Sequence, residues 1–136
     1  MSGLRWLDSM SVGITSFDND HKLVIALLGE IATAANAGAI ERAVEHAVEL
    51  MLVAAEHTDR EERFLRAAGY PATDTVIAAQ RANLAVIANL AETVGRTPAE
   101  ASRLAQEMAE AFVNYLLRAD INYKSFVEMA GFADRD

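Results

Sequence analysis

The segment AAEHTDREERF places His57 and Glu61 one helical turn apart, at positions i and i+4. An α-helix advances about 100° per residue, so two such side chains share a face. An imidazole and a carboxylate stacked there can grip one metal ion or one proton. The chain holds only three histidines, His21, His46 and His57, so any imidazole site must be small. Four polar groups are candidates for the interior of a helical domain: His21, His57, Glu61 and Asp120. Two imidazoles with a carboxylate suit iron, and a two-histidine, one-carboxylate face with open positions suits oxygen-reactive ferrous iron. The same spacing also arises on solvent-facing helices, where the pair is only a surface contact. His46 lies about three turns before His57. Its neighbours Glu45 and Glu49 are of solvated type, so it reads as a surface residue.

Several classes of chemistry are excluded or disfavoured. With no cysteine there are no disulfides, thiolate metal sites or cysteine nucleophiles. No glycine-rich phosphate loop or serine nucleophile motif occurs. A formal charge of −8 argues against nucleic acid or anionic membranes as partners, since both are polyanions. The longest apolar runs, such as LVIALL, fall well short of the ~20 residues a membrane span needs. The opening MSGLRWLDSM lacks a basic stretch followed by an apolar core, so no signal peptide is expected and a cytoplasmic location is the default.

The elements that must position these groups are helices. Alanine, leucine and glutamate are abundant and all favour helix. Apolar residues recur at helical spacing, and no stretch alternates with the period of a strand. The chain is therefore all-α, and its 136 residues fit a single domain, 1–136. Residues 1–17, with Trp6, Val12 and Ile14, predict an extended arm lying over that domain. Four helices follow at about 18–37, 39–68, 73–94 and 98–118, then a short helical tail over 119–136. Asp18 or Asp20 can cap the first helix, and Leu23, Val24, Leu27, Leu28 and Ile31 give it an apolar stripe. Gly38 supplies a left-handed C-cap. Gly69, Tyr70 and Pro71 end the second helix, and Thr73 can cap the third. Thr97-Pro98-Ala99-Glu100 sets a capping residue before proline at the first helical position and glutamate at the third. Connections this short imply antiparallel neighbours, hence an up-down-up-down four-helix bundle. Tyr123, Trp6 and the phenylalanines read as core.

Three segments taken together resemble the bacterial hemerythrins (bacteriohemerythrins), and the likeness covers nearly the whole chain. RWLDSMSVGITSFDNDHKLVIALL is similar to that family's opening: a tryptophan, a short arm, then a phenylalanine-aspartate turn leading to the first ligand histidine, here His21. EHTDREERFLRAAGYP resembles its second segment, in which His57 is a ligand and Glu61 a bridging carboxylate. FVNYLLRADINYKSFV resembles its last segment, with Asp120 as the bridging aspartate. The family holds two irons inside a four-helix bundle and binds dioxygen reversibly between them.

This sequence departs from the family's pattern at three ligand positions. Val76 and Gln80 stand where two histidines follow the Tyr-Pro turn, and Tyr115 stands where a histidine precedes the aspartate. All three belong to one iron of the pair. The resemblance therefore implies a reduced, mononuclear iron site of His21, His57, Glu61 and Asp120. Tyr115 and Gln80 are then possible further ligands, or hydrogen-bonding groups in place of the missing metal. Such a site could bind or sense dioxygen, nitric oxide or a similar small ligand. Two other outcomes stay open. One is a metal-free sensory or interaction bundle, in which His21 and His57 pair as cations with Glu61 and Asp120. The other is a di-iron oxygen-binding protein with Tyr115 as an unusual ligand. No residue demands enzymatic turnover, and no feature identifies a protein partner.

Overall fold

From Thr15 to Met129 the chain is helical except at two short turns and one proline-initiated joint, as seen in a computed structural model describing residues 5–131 apart from the side chains of 119–122. A 3-10 turn at Asp8–Met10 precedes α1 (Thr15–Asn36), α2 (Ile40–Ala68) and α3 (Thr73–Arg96). A second 3-10 turn at Pro98–Glu100 leads into α4 (Ala101–Met129). Among the described residues there is no strand. None of the helices is long and apolar enough to cross a membrane. The helices pack against one another in a closed series: α1 on α2, α2 on α3, α3 on α4 and α4 on α1.

The turns follow from glycine. Gly38 and Gly69 adopt φ of 76° and 78°, a left-handed conformation that costs glycine little. Each lets the chain fold back on the helix it ends. Ala39 donates to the Ala34 carbonyl at 2.8 Å, and Tyr70 donates to that of Leu65 at 3.0 Å, which satisfies carbonyls the helix leaves open.

The boundaries differ from expectation where side chains found other partners. α1 begins at Thr15, ahead of the aspartates expected to cap it. Asp18 instead clasps the arm, accepting from the Ser11 hydroxyl at 2.6 Å and the Val12 amide at 2.9 Å. The arm itself is not wholly extended, since Asp8–Met10 forms a turn of 3-10 helix. Thr73 donates its hydroxyl to the Tyr70 carbonyl at 2.7 Å rather than capping α3. Thr97 makes no side-chain cap either, and Pro98 opens a 3-10 turn instead of an α-helix. Leu23, expected on the buried stripe, is largely exposed. α4 continues without a break to Met129, so the expected tail belongs to that helix as far as Met129, and residues 132–136 lie outside the described residues.

Two apolar layers make the core. The larger includes Val24, Leu28, Leu50, Ala54, Ile87, Met108, Phe112 and Leu116. The smaller joins Val12, Ile14 and Phe17 to Leu65, Val76, Tyr123 and Val127. Following the chain, α1 passes from the smaller layer (Phe17) to the larger (Val24), and α2 returns from Ala54 to Leu65. α3 then runs from Val76 to Ile87, and α4 from Leu116 to Tyr123. The polar residues of interest fall in register between the two layers.

Candidate metal centre

α1, α2 and α3 deliver polar side chains to this interlayer at the turn beside or between their apolar contacts. On α1, His21 sits one turn past Phe17. On α2, His57 and Glu61 stand between Ala54 and Leu65. On α3, Gln80 is one turn past Val76. All four side chains are buried, Glu61 most deeply at 1% exposure. A carboxylate removed from water that completely must find charge or hydrogen-bond partners.

Its partners come from three directions. Gln80 Nε2 and the Tyr123 hydroxyl each donate a hydrogen bond to it, one to Oε1 and the other to Oε2. His57 Nε2 lies 3.5 Å from Oε2. His21 Nε2 and His57 Nε2 face each other at 3.1 Å. On its far side, His57 Nδ1 meets Asp20 Oδ2 at 2.8 Å, and Arg60 donates to the same oxygen at 2.6 Å. An ionised carboxylate only accepts, so this contact puts a hydrogen on Nδ1 and turns Nε2 inward, where loss of its proton would free it to bind an ion. Phe17 packs edge-on to the His57 ring, with centroids 5.2 Å apart, which fixes the ring from the smaller layer.

Electrostatics separate the two imidazoles. Burial, reinforced by the nearby His57, pushes His21 down to about 3, so it is neutral. Burial works against a charge on His57 as well, but hydrogen bonding and charge from Glu61, then Asp20, outweigh it and raise its pKa. For Glu61, burial opposes ionisation, yet His57 and the Tyr123 hydroxyl hold the carboxyl below its ordinary range. Tyr115 and Tyr123 are both pushed up, by burial first and the Glu61 charge second, and so stay phenols.

His21, His57 and Glu61 each offer one ligand atom, all within 4.8 Å of one another. Ligand bonds of about 2.1 Å at right angles place adjacent donors about 3.0 Å apart. The imidazole nitrogens meet that requirement at 3.1 Å, and the carboxylate oxygen is close to it at 3.5 Å. Among the described residues the donor set is two neutral-capable imidazoles and one carboxylate, held by α1 and α2. A cavity of about 20 Å³ adjoins it, walled by His21, His57, Gln80 and Tyr115 among others. That is room for roughly one water molecule. A larger groove of about 680 Å³ between α1 and α4 lies along Gly29, Ala32 and Ala105, away from the imidazoles.

The remaining expected positions fall as follows. Val76 is buried in the smaller apolar layer with Leu65 and Tyr123. Gln80 uses its amide nitrogen on Glu61 and also donates to the Tyr115 hydroxyl at 3.1 Å. Its Oε1, like His21 Nδ1, has no hydrogen-bond partner among the described residues. Asp120 lies outside the residues whose side chains are described. His46 is partly buried rather than fully exposed, 3.7 Å from Glu30, and is not among the clustered donors. Within the expected metal-free pairing, burial holds His21 neutral and Asp20 lies beside His57 together with Glu61, while the part expected of Asp120 lies outside the described side chains.

Three contributors were not anticipated. Tyr123 reads as core in the sequence, yet its place on the Leu116 stripe of α4 carries its hydroxyl to Glu61. Asp20 reads as a helix cap, and Arg60 carries no expectation of its own. The one available signal was that Asp20 directly precedes His21 while Arg60 follows His57 by three residues, so both charges lie beside the donors. No protein-family model matches this chain, and no curated protein sequence does either.

Proposed function

We propose that this protein is a hemerythrin-like non-heme metal protein, built as an antiparallel four-helix bundle and holding a single iron through His21, His57 and Glu61. The observation that carries the reading is the convergence of one ligand atom each from His21, His57 and Glu61 within 4.8 Å in a buried layer. Two histidines and one carboxylate with open positions is the donor set suited to ferrous iron that meets small oxygen-containing ligands. The antiparallel arrangement is supported by the alternating order in which successive helices meet the two apolar layers, and by the short joints between them.

The opposite half of the layer favours one metal over two. Val76 has no donor atom and is packed against carbon. Gln80 presents its amide nitrogen, a hydrogen donor and not a ligand, to Glu61 Oε1. Tyr115 stays a phenol because burial disfavours its anion. Glu61 thus has one oxygen tied to Gln80, and the other faces the imidazoles. When bound, iron would supply an open coordination position for a diatomic molecule such as dioxygen or nitric oxide. The chain's own residues bind the ion, orient His57 through Asp20, and exclude water with Val24, Leu84 and Phe112.

One observation favours a second reading. His57 is pinched between Asp20 at 2.8 Å and Glu61 at 3.5 Å, so its raised pKa lets it close the cluster as a lone buried cation with no metal. Elemental analysis of the purified chain decides between the readings. We expect about one iron per chain, lost in His57→Ala. No metal after anaerobic iron loading would establish the metal-free cluster, and two per chain would establish a dinuclear centre.

A further inference from the structure

Two cavities meet at one pair of side chains. The inner one, about 20 Å³, lies against the imidazoles and Gln80, and Val24, Leu84 and Phe112 give it an apolar wall. The outer one, about 440 Å³, is a groove between α3 and α4. Alanine is the reason it is there: Ala79 and Ala82 on α3 and Ala111 on α4 are too short to fill the space between the helices. Asn83 and Tyr115 line both cavities. Each is half-buried, as expected of a wall with one side to the interior and one to water. The Tyr115 hydroxyl accepts from Gln80 at 3.1 Å, which ties its end of the ring to the inner cavity.

We infer that Tyr115 and Asn83 form a gate through which a small uncharged molecule of two or three atoms passes from the α3–α4 groove to the inner cavity. The passage stands on this geometry alone; its service in delivering a ligand to iron rests on the metal reading above. Size sets the first limit, because the inner space holds roughly one water-sized body. Charge sets the second. An ion entering would lose its hydration in a space closed on one side by Val24, Leu84 and Phe112, with the Glu61 carboxylate already taken up by its own partners. Opening needs only a rotation of the Tyr115 ring that breaks one neutral hydrogen bond, and rotations of partly exposed side chains are fast.

Dissolved dioxygen is paramagnetic, so it reports its own arrival. In the metal-free, isotope-labelled full chain under oxygen pressure, relaxation of the Val24, Ala54 and Leu84 methyl protons measures entry to the inner cavity. Leu50, deep in the larger layer, serves as the control. Tyr115→Ala should raise relaxation at the three methyls several-fold and leave Leu50 unchanged. Tyr115→Phe, which keeps the ring and loses its tie to Gln80, should fall between. Asn83→Trp should suppress the effect. Helicity is checked first, and the two Tyr115 variants carry the test if the tryptophan variant does not fold. In iron-loaded protein, the association rate of nitric oxide should follow the same order. Equal relaxation in wild type and both Tyr115 variants would overturn the gate, even if iron loads normally. Gated relaxation in a chain that takes up no metal would uphold the passage and remove the metal reading instead.

Discussion

Asp20 links the two helices that carry the donors. It belongs to α1, beside His21, yet its carboxylate reaches across to the His57 imidazole of α2 and is held from the other side by Arg60. A metal-bound imidazole whose second nitrogen donates to a carboxylate is oriented, fixed in one tautomer and made more basic. Asp20→Asn keeps the shape and removes the charge, and its amide can present a hydrogen where Nδ1 needs an acceptor. We expect this change to weaken iron affinity by about 10–100-fold with little loss of helix, as chelator competition would measure. Unchanged affinity would mean that His57 is not a ligand through Nε2. The core of the site was legible in the sequence because His57 and Glu61 advertise themselves by their i, i+4 spacing. Asp20 was not, since an acid at a helix start has an ordinary explanation as a cap. Tyr123 was hidden for a different reason. A tyrosine in an apolar helix face looks like core until another helix supplies a buried carboxylate within reach of its hydroxyl.

At the scale of elements, the arm is the piece whose attachment is most local. Asp18 holds it through the Ser11 hydroxyl and the Val12 amide, and Gly13 donates back to that same hydroxyl at 3.1 Å. This small knot seats Val12 and Ile14 in the smaller apolar layer with Phe17, Val76 and Tyr123, directly beneath the polar residues. Hydrogen bonds to an ionised group contribute about 1.5–3 kcal/mol each when shielded, and these are only partly buried, so Asp18→Ala should cost about 2 kcal/mol in all. Urea unfolding would measure the loss, and hydrogen exchange should speed up at Val12 while the middle of α2 stays protected. A change below about 0.5 kcal/mol, the usual range for an inert surface site, would mean that the arm is held by its apolar side chains alone. Helix number and most joints were readable from glycine, proline and apolar spacing. The start of α1 was not, because Asp18 had a tertiary partner that outcompeted the cap the local sequence offered, whereas α3 starts at the expected Thr73 although its hydroxyl bonds within the turn and not as a cap.

For the whole molecule, the buried polar layer ties stability to pH in a way that metal should change. Consider first the metal-free chain. Unfolded, His21 takes up a proton below its ordinary 6.5; folded, it refuses one until about 3. The unfolded state thus binds more protons in that window, and stability falls as pH drops through it, by up to about 1.4 kcal/mol per unit. His57 acts in the opposite sense. Its folded pKa is raised, so the native chain keeps a proton above 6.5 that the unfolded chain releases, and this contribution is lost as pH climbs past the raised value. Glu61, held below its ordinary 4.5, adds stability above that value that disappears as pH falls through the lower, folded one. The metal-free protein should therefore be most stable near pH 6.5, with losses on both sides. Iron reverses the alkaline limb, because a ligand imidazole must surrender its proton and binding is then favoured as pH rises. Below the raised pKa of His57, affinity should weaken by about tenfold per pH unit for that single displaced proton. Thermal unfolding at fixed, sub-saturating iron tests this directly. The rise in midpoint that iron produces should grow steadily with pH from below the ordinary imidazole value of 6.5 until the raised folded value of His57 is passed, as expected where proton and metal compete for one nitrogen. A midpoint rise that stays flat across that range would place the bound ion on donors other than His57.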